Sequence, residues 1–169
     1  MAAMVGLFWV TSDAVYVGSP PNPVGIGVRL TADGVEAMDP DSPRTWTWAE
    51  LRSAVVEDAP KHNPVGRAAK ILGSMVSAAI GAENLGEGPP EMRLRLETEE
   101  ETQEVTVHAA AAGGYTAEEA RLSRDLLDRF VAGSGSPLTL AAWGREHAAE
   151  GTPEPRAREA LLHTWAQQG

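Results

Sequence analysis

The chain has 169 residues, with 14 lysine and arginine residues against 24 aspartate and glutamate residues, a formal net charge of −10 at pH 7. A surface this acidic repels nucleic-acid phosphates and anionic lipid headgroups, so we expect neither nucleic-acid binding nor stable membrane association. The chain contains no cysteine, which excludes disulfides, thiol catalysis and cysteine-ligated zinc.

The first 57 residues predict a series of short antiparallel strands. Residues 5–11 and 14–18 are predicted as two strands joined by a tight turn at Ser12 and Asp13. Because apolar side chains fill both faces of the first of these strands, we interpret it as a structural wall. Strands are also predicted on both sides of the turn "ADG", within "RTWTWAEL" and over residues 53–57, and the proline-rich loop "SPPNPVG" separates the first pair from the rest.

The periodicity then changes to that of a helix. Residues 63–81 are predicted as a helix that begins at Asn63 as N-cap, with Pro64 at its first position. Apolar side chains fall on one half of this helix, which we expect to face the strands.

The other half of the predicted helix carries the first of two candidate partner-binding surfaces. Gly73, Ser77 and Gly81 are four residues apart, a spacing of small residues that lets a second backbone approach closely, and Arg67 and Lys70 add local positive charge. Three interpretations remain open: a structural flap over the barrel that the strands are expected to form, a protein-binding or self-association face, and an interfacial membrane anchor.

The second half of the chain begins with a predicted hairpin. "EMRLRLET" and "QEVTVHA" alternate apolar and polar residues, which is typical of antiparallel strands with one wet face. A helix is predicted from Thr116 and Glu119, a capping-box pair, to a stop at Gly133. Two shorter helices are predicted over residues 138–150 and 153–168, with Ser136 and Thr152 as N-caps.

This order of elements resembles the pleckstrin-homology-like (PH-like) barrel. The segments that carry the likeness are "GLFWVTSDAVYVG", "GVRLTADGVEAM", "TWTWAELRSAVVE", the pair "EMRLRLET…QEVTVHA" and the helix "TAEEARLSRDLLDRFV", and the chain is also similar to small actinobacterial proteins. The resemblance implies an α+β fold: an antiparallel β-barrel or sandwich over residues 1–133, with an inserted helix at 63–81 and a capping helix at 116–133. Residues 134–169 then form a two-helix tail packed on the barrel. It also implies a binding module, although the first hairpin lacks the basic residues that phosphoinositide sites of this fold use, since no lysine or arginine precedes Arg29.

The remaining chemistry-bearing residues predict no reaction. The four histidines do not share metal-ligand spacing, and no nucleophile elbow, phosphate loop or dinucleotide fingerprint is present, so we expect no metal and no cofactor. The glutamates around residues 97–104 are interpreted as a solvated hairpin tip. Trp46 and Trp48 are the second candidate partner-binding surface: they form either an aromatic ledge for a partner or core or helix-contact residues. Trp143 and Trp165 are expected to pack the tail onto the barrel.

We therefore expect a non-enzymatic, cytoplasmic binding module that recognises a protein partner or a second copy of itself. One alternative is a small-molecule binder or an enzyme that uses the barrel mouth. A second alternative is a peripheral membrane adaptor.

Overall fold

The computed structural model of the chain describes residues 1–61, 89–111 and 113–168. The predicted helix at 63–81 lies outside these residues. The described residues form nine strands: β1 (Ala2–Val5), β2 (Phe8–Thr11), β3 (Val15–Val17), β4 (Gly27–Leu30), β5 (Gly34–Met38), β6 (Arg44–Thr47), β7 (Leu51–Glu57), β8 (Glu91–Thr98) and β9 (Thr102–His108). They also form three α-helices: α1 (Ala117–Ala132), α2 (Pro137–His147) and α3 (Pro155–Gln167).

Strands β1 to β6 make one antiparallel sheet in which sequence order is spatial order. The prediction of a single strand over residues 5–11 is wrong, because Gly6 and Leu7 form a two-residue turn and Val5 pairs with Phe8. Gly6 has a φ of 60°, which suits the first position of a hairpin turn. A Cβ at Gly6 would also overlap Ser123 Oγ of α1, so only glycine fits this turn.

Strands β7, β8 and β9 make a second antiparallel sheet, with a register shift between Leu51 and Ser53 of β7. The alternation predicted for β8 is confirmed, since Met92, Leu94 and Leu96 are buried and the intervening side chains are exposed. This sheet therefore has one dry face and one wet face, as expected for an antiparallel arrangement.

The two sheets share a single hydrophobic core without closing into a barrel by backbone pairing in the described residues. Strand β9 reaches the first sheet at both of its ends. Near its start, Arg44 Nη1 donates to Gln103 Oε1 (2.6 Å), and at its end Ser19 N donates to His108 O (2.7 Å). The α+β class and the antiparallel sheets are thus confirmed, and the closed PH-like barrel stays a prediction.

Helix α1 covers the core as its sequence predicts. Thr116 Oγ1 accepts from Glu119 N and Glu119 Oε2 accepts from Thr116 N, which completes the capping box, and Gly133 ends the helix with a φ of 76°. Leu126, Leu127 and Phe130 are buried in the core. The Phe130 ring lies 6.3 Å from that of Phe8 and 5.7 Å from that of Trp48.

Helix α2 packs against β2 through a glycine. It begins after the predicted N-cap Ser136, whose side chain accepts from Leu138 N (3.2 Å), and it ends at His147 before a short 3₁₀ turn. A Cβ at Gly144 would overlap Thr11 O of β2, so the missing side chain lets the helix lie directly on the strand.

Helix α3 begins two residues later than predicted, and Thr152 is not its N-cap. Pro155 occupies the first helical position and Glu154 is extended, as a residue before proline prefers to be. Thr152 Oγ1 instead accepts a hydrogen bond from Met4 N of β1 (2.9 Å). Leu162 and Trp165 of α3 are buried in the shared core. In the part of the chain that the structure describes, no helix is long and apolar enough to cross a bilayer.

Candidate functional site

The two predicted tryptophans lie at the core. Trp46 has only 7% of its surface exposed and belongs to the hydrophobic cluster. Trp48 is half-buried, and its indole N–H donates to Thr31 O (3.0 Å) while its ring packs on Phe130. These contacts agree with the packing alternative, and a partner-binding role for the pair stays a prediction. The other predicted site residues lie outside the described residues: Arg67, Lys70, Gly73, Ser77 and Gly81.

A groove of about 400 Å³ lies at one end of the first sheet. Two proline-containing loops border it: the first proline loop (residues 19–26) and the second proline loop (residues 39–43). Gly25 of the first approaches the second closely, since a Cβ there would lie 3.6 Å from Pro40 Cγ. The groove is lined by Gly25, Arg29, Glu36, Ala37, Met38, Asp39, Pro40, Pro43, Arg44 and Thr45.

The first proline loop is held rigidly and displays apolar side chains. Asn22 Oδ1 accepts from Val24 N (3.1 Å) and from Ile26 N (2.9 Å), and Asn22 N donates to Ile26 O (3.0 Å). Pro21 lies directly against Gly27 of β4, since a Cβ at Gly27 would be 3.0 Å from the Pro21 Cα. Val24 and Ile26 nevertheless remain 65% and 44% exposed. The loop therefore holds two aliphatic side chains in water beside the groove.

The two arginines of the groove differ in their partners. Arg29 Nε donates to Glu36 Oε2 (2.7 Å), so that charge is neutralised across β4 and β5. Arg44 instead donates to the neutral Gln103, and its guanidinium carbon lies 5.3 Å from the centroid of the Trp46 ring. Arg44 forms no ion pair with a carboxylate of the described residues. It is a positioned cation at the groove edge of an acidic protein.

Strand β6 is the edge of the first sheet, and antiparallel strands direct alternate residues toward and away from their partner. Trp48 N donates to Asp33 O at the β5 end (3.1 Å), whereas Thr47 N turns outward to Glu50 Oε2 (2.8 Å). The same alternation directs the N–H and C=O of Thr45 away from β5, off the edge of the sheet and away from the groove side of β6.

Glu50 limits how much of this edge is accessible. Its hydrogen bonds from the Thr47 backbone and hydroxyl lower the pKa of the Glu50 carboxyl. The carboxylate thus occupies the outward N–H of Thr47, which protects that end of the β6 edge.

The outer face of the first sheet continues from the groove as a cross-strand row. The strand register places Trp9 beside Tyr16, Tyr16 beside Arg29, and Arg29 beside Glu36. All four side chains are half-buried. The first sheet therefore carries an aromatic pair, Trp9 of β2 and Tyr16 of β3, on the face that continues to the groove.

A buried polar cluster at the start of α1 is structural. Glu119 is fully buried, and Arg158 of α3 donates to it through both Nε and Nη2. Thr116 Oγ1 donates to Glu159 Oε1 (2.7 Å), and the Tyr115 hydroxyl accepts from Ala110 N (3.1 Å). Burial raises the pKa of the Tyr115 hydroxyl. Because each group has a partner within the cluster, these residues fix α3 against α1.

Exposed ion pairs connect β7 and the residue after it to the β8–β9 hairpin. Arg52 pairs with Glu99 at the hairpin tip (2.9 Å), and Arg93 pairs with Asp58 (2.8 Å) on the wet face. Among the described residues, no group of three or more histidine, aspartate or glutamate side chains is arranged to hold a metal ion.

No protein-family model matches the chain, and no curated protein or solved structure matches it.

The groove was not predicted from the sequence. Its two arginines are fifteen residues apart, and only the register of β4, β5 and β6 brings them to one end of the sheet. The only local signal was Asn22 between prolines, a residue type that closes loops by accepting hydrogen bonds from the backbone that follows it.

Proposed function

We propose that this protein is a non-enzymatic binding module that takes a protein partner in the groove between the two proline loops. The observation that carries the proposal is the pair of exposed aliphatic side chains, Val24 and Ile26, which flank the groove-lining Gly25 in a loop that is already closed by hydrogen bonds. The loop pays little ordering entropy on binding, since its conformation is fixed beforehand.

The size and chemistry of the groove favour a peptide segment of a protein as its ligand. Burying one valine or isoleucine side chain contributes roughly 1.5–3 kcal/mol. Two such side chains next to the charged and polar side chains of the groove provide a small apolar anchor with a polar rim, which is the usual anatomy of a recognition site.

The wider arrangement supports a PH-like module. Two antiparallel sheets share one core, β9 reaches the first sheet at both ends, and a long helix after the last strand covers that core. Such scaffolds carry many unrelated ligands, so the fold supports binding without naming the partner. The lack of cysteine and the acidic composition support a cytoplasmic site of action.

Site-specific photo-crosslinking in cells of the source organism tests the proposal. A photoreactive amino acid is placed at Ile26 in one variant and at Leu138 in another. Leu138 is the matched control, because it is also an exposed aliphatic residue (57%) but lies at the start of α2. We expect a discrete crosslinked product from position 26 that is absent from position 138 and is lost when Val24→Asp is added.

Two results would contradict the proposal. The first is no product from position 26. The second is a product that also forms at position 138 or that persists in the Val24→Asp background.

A further inference from the structure

The partner segment can be specified further, on the premise that the groove is the binding site of the proposed function. We infer that this segment continues from the groove across the outer face of the first sheet, as a proline-rich chain in the polyproline II conformation that packs on Trp9 and Tyr16. Three properties of this face favour such a ligand: its two aromatic side chains, its fully paired backbone and its balanced charge.

The first property is a pair of aromatic side chains with unused donors. Trp9 and Tyr16 lie directly opposite each other on β2 and β3, and both are half-buried. Among the described residues, the Trp9 indole N–H and the Tyr16 hydroxyl have no hydrogen-bond partner, whereas the indole N–H of Trp48 donates to Thr31 O. Each side chain of the pair therefore offers an apolar ring to a proline and a donor to a backbone carbonyl of the ligand.

The second property is that the backbone of this face is already paired. Strands β2 to β5 each have a hydrogen-bonded neighbour on both sides, so the face presents side chains only. A β-strand laid on it would leave its own N–H groups without partners in the contact. A polyproline II chain has no internal hydrogen bonds to complete, and its prolines carry no N–H. An α-helix also satisfies its own backbone, but it is about 10–12 Å wide, whereas the row is one side chain wide.

The third property is a row of suitable length without unpaired charge. Arg29 lies next to Tyr16 in the row, and Glu36 neutralises it. At about 4.8 Å between strands, the row from Trp9 to Glu36 spans about 14 Å, which about five residues of polyproline II cover at about 3.1 Å each. Arg29 and Glu36 also line the groove, so an uncharged segment reaches the aromatic pair from the groove over a neutralised ion pair.

Two other occupants must be separated by experiment. The chain has a net charge of −10, so its overall field would attract a basic segment without any need for the aromatic pair. A second copy of the chain could instead present its own first proline loop to the row, which would make the contact a self-association.

The probes are two dodecapeptide display libraries of equal size, selected against the immobilised full-length chain. One library fixes P-x-x-P at its centre and the other fixes A-x-x-A, and all other positions are random. The most enriched sequence is then made as a terminally capped fluorescent peptide, together with an analogue in which alanines replace the two fixed prolines. Affinities are measured by fluorescence anisotropy in low and in high salt.

The variants remove single groups from the row and from the groove. Trp9→Phe and Tyr16→Phe each remove one donor and keep an aromatic ring. Trp143→Phe is the matched control, because Trp143 is also a half-buried tryptophan but lies on α2. Val24→Asp tests the groove. Circular dichroism melts establish that each variant is folded.

We expect enrichment from the P-x-x-P library only. Trp9→Phe and Tyr16→Phe should each weaken binding about fivefold, the effect of losing one hydrogen bond between uncharged groups. The alanine analogue should bind about tenfold more weakly, because it lacks both the proline contacts and the preformed conformation. Val24→Asp should also weaken binding, whereas Trp143→Phe and high salt should change it less than about twofold.

The failures of the two proposals are distinguishable. Peptides that depend on Val24 but tolerate both Trp9→Phe and Tyr16→Phe overturn this inference and leave the groove as the binding site. Peptides that tolerate Val24→Asp overturn the proposed function, and with it the premise of this inference.

Three further results would overturn the inference alone. The first is enrichment of proline-free peptides that depend on Val24, or a loss of binding in high salt, which indicates a basic ligand. The second is no enrichment from either library, in which case the crosslink at Ile26 decides the proposed function. The third is a doubled mass of the peptide-free chain in light scattering that reverts in Trp9→Phe, which indicates a second copy as occupant.

Discussion

Replacing Arg158 with methionine tests whether the ion pair between α3 and the start of α1 holds the C-terminal helices in place. Glu119 is fully buried, and Arg158 is the cation bonded to it. Removing one partner of a buried pair leaves an uncompensated charge, at a cost of about 3–5 kcal/mol.

The chain can keep the unpaired charge of Glu119 buried, or it can avoid that cost by detaching α3 so that water reaches Glu119. Detaching α3 exposes Leu162 and Trp165, which loses roughly 1.5–3 kcal/mol of burial free energy for each side chain. Since the two routes cost similar amounts, we expect Arg158→Met to lower the free energy of unfolding by about 3–5 kcal/mol by either route.

Urea denaturation followed by circular dichroism measures the loss, and hydrogen exchange separates the routes. Rapid exchange confined to residues 155–167 indicates a detached α3, whereas rapid exchange that includes β8 indicates global destabilisation. Arg156→Met is the matched control, because Arg156 is exposed on the same helix. It should change the free energy of unfolding by less than about 0.5 kcal/mol.

A double variant isolates the electrostatic part of the effect. Glu119→Gln keeps a side-chain acceptor for Thr116 N and removes the negative charge, so combining it with Arg158→Met leaves no charge buried. The double variant should be more stable than Arg158→Met alone. The reasoning is refuted if Arg158→Met is as mild as Arg156→Met, which would mean that water already solvates Glu119.

Three further predictions concern the core, a buried hydroxyl and the predicted contact face. Leu127→Ala should lower the free energy of unfolding by about 2–5 kcal/mol in urea titrations, because Leu127 is fully buried. A loss of no more than about 0.5 kcal/mol would contradict its place in the core. The ultraviolet difference titration of wild type against Tyr115→Phe should give a midpoint above pH 10, because burial raises the pKa of Tyr115. Above pH 10 the folded state then keeps a proton that the unfolded state releases, so the free energy of unfolding falls as the pH rises. A midpoint at or below pH 10 would contradict this prediction. If the predicted helix at 63–81 is a contact face, Ser77→Trp should lower the mass measured by light scattering with little change in melting temperature. If that helix is a flap, the same change should lower the free energy of unfolding by about 1–3 kcal/mol and leave the mass unchanged. No change in either quantity would mean that Ser77 faces solvent.

Local signals predicted those elements whose structure depends on local interactions. The capping box of Thr116 and Glu119 and the stop at Gly133 bound α1 correctly, because each acts within one helical turn. The alternation in β8 assigned its buried face for the same reason, since a period of two depends only on neighbouring residues.

The predictions that failed required knowledge of distant partners. Gly6 splits the first strand because Ser123 of α1 and Leu162 of α3 occupy the space where a side chain would be, and neither is visible from the residues around Gly6. Threonine is a common N-cap residue, but the Thr152 hydroxyl accepts a hydrogen bond from Met4 N of β1 instead. Helix α3 begins at Pro155. Glu119 was predicted as a capping residue only, and its ion pair with Arg158 joins residues 39 positions apart.

The groove shows why the candidate site was harder to predict than the fold in this chain. A catalytic motif is recognisable in a sequence when short spacing brings its groups together, whereas the groove is formed by a loop that Asn22 closes and by β4, β5 and β6. The state of Arg44 depends on a still more distant residue, since Gln103 of β9, 59 residues away, positions its guanidinium without neutralising it. An aspartate at position 103 would instead pair with Arg44. The charge at this end of the sheet therefore depends on which side chain β9 places opposite Arg44, and no residue near Arg44 in the sequence shows which one that is.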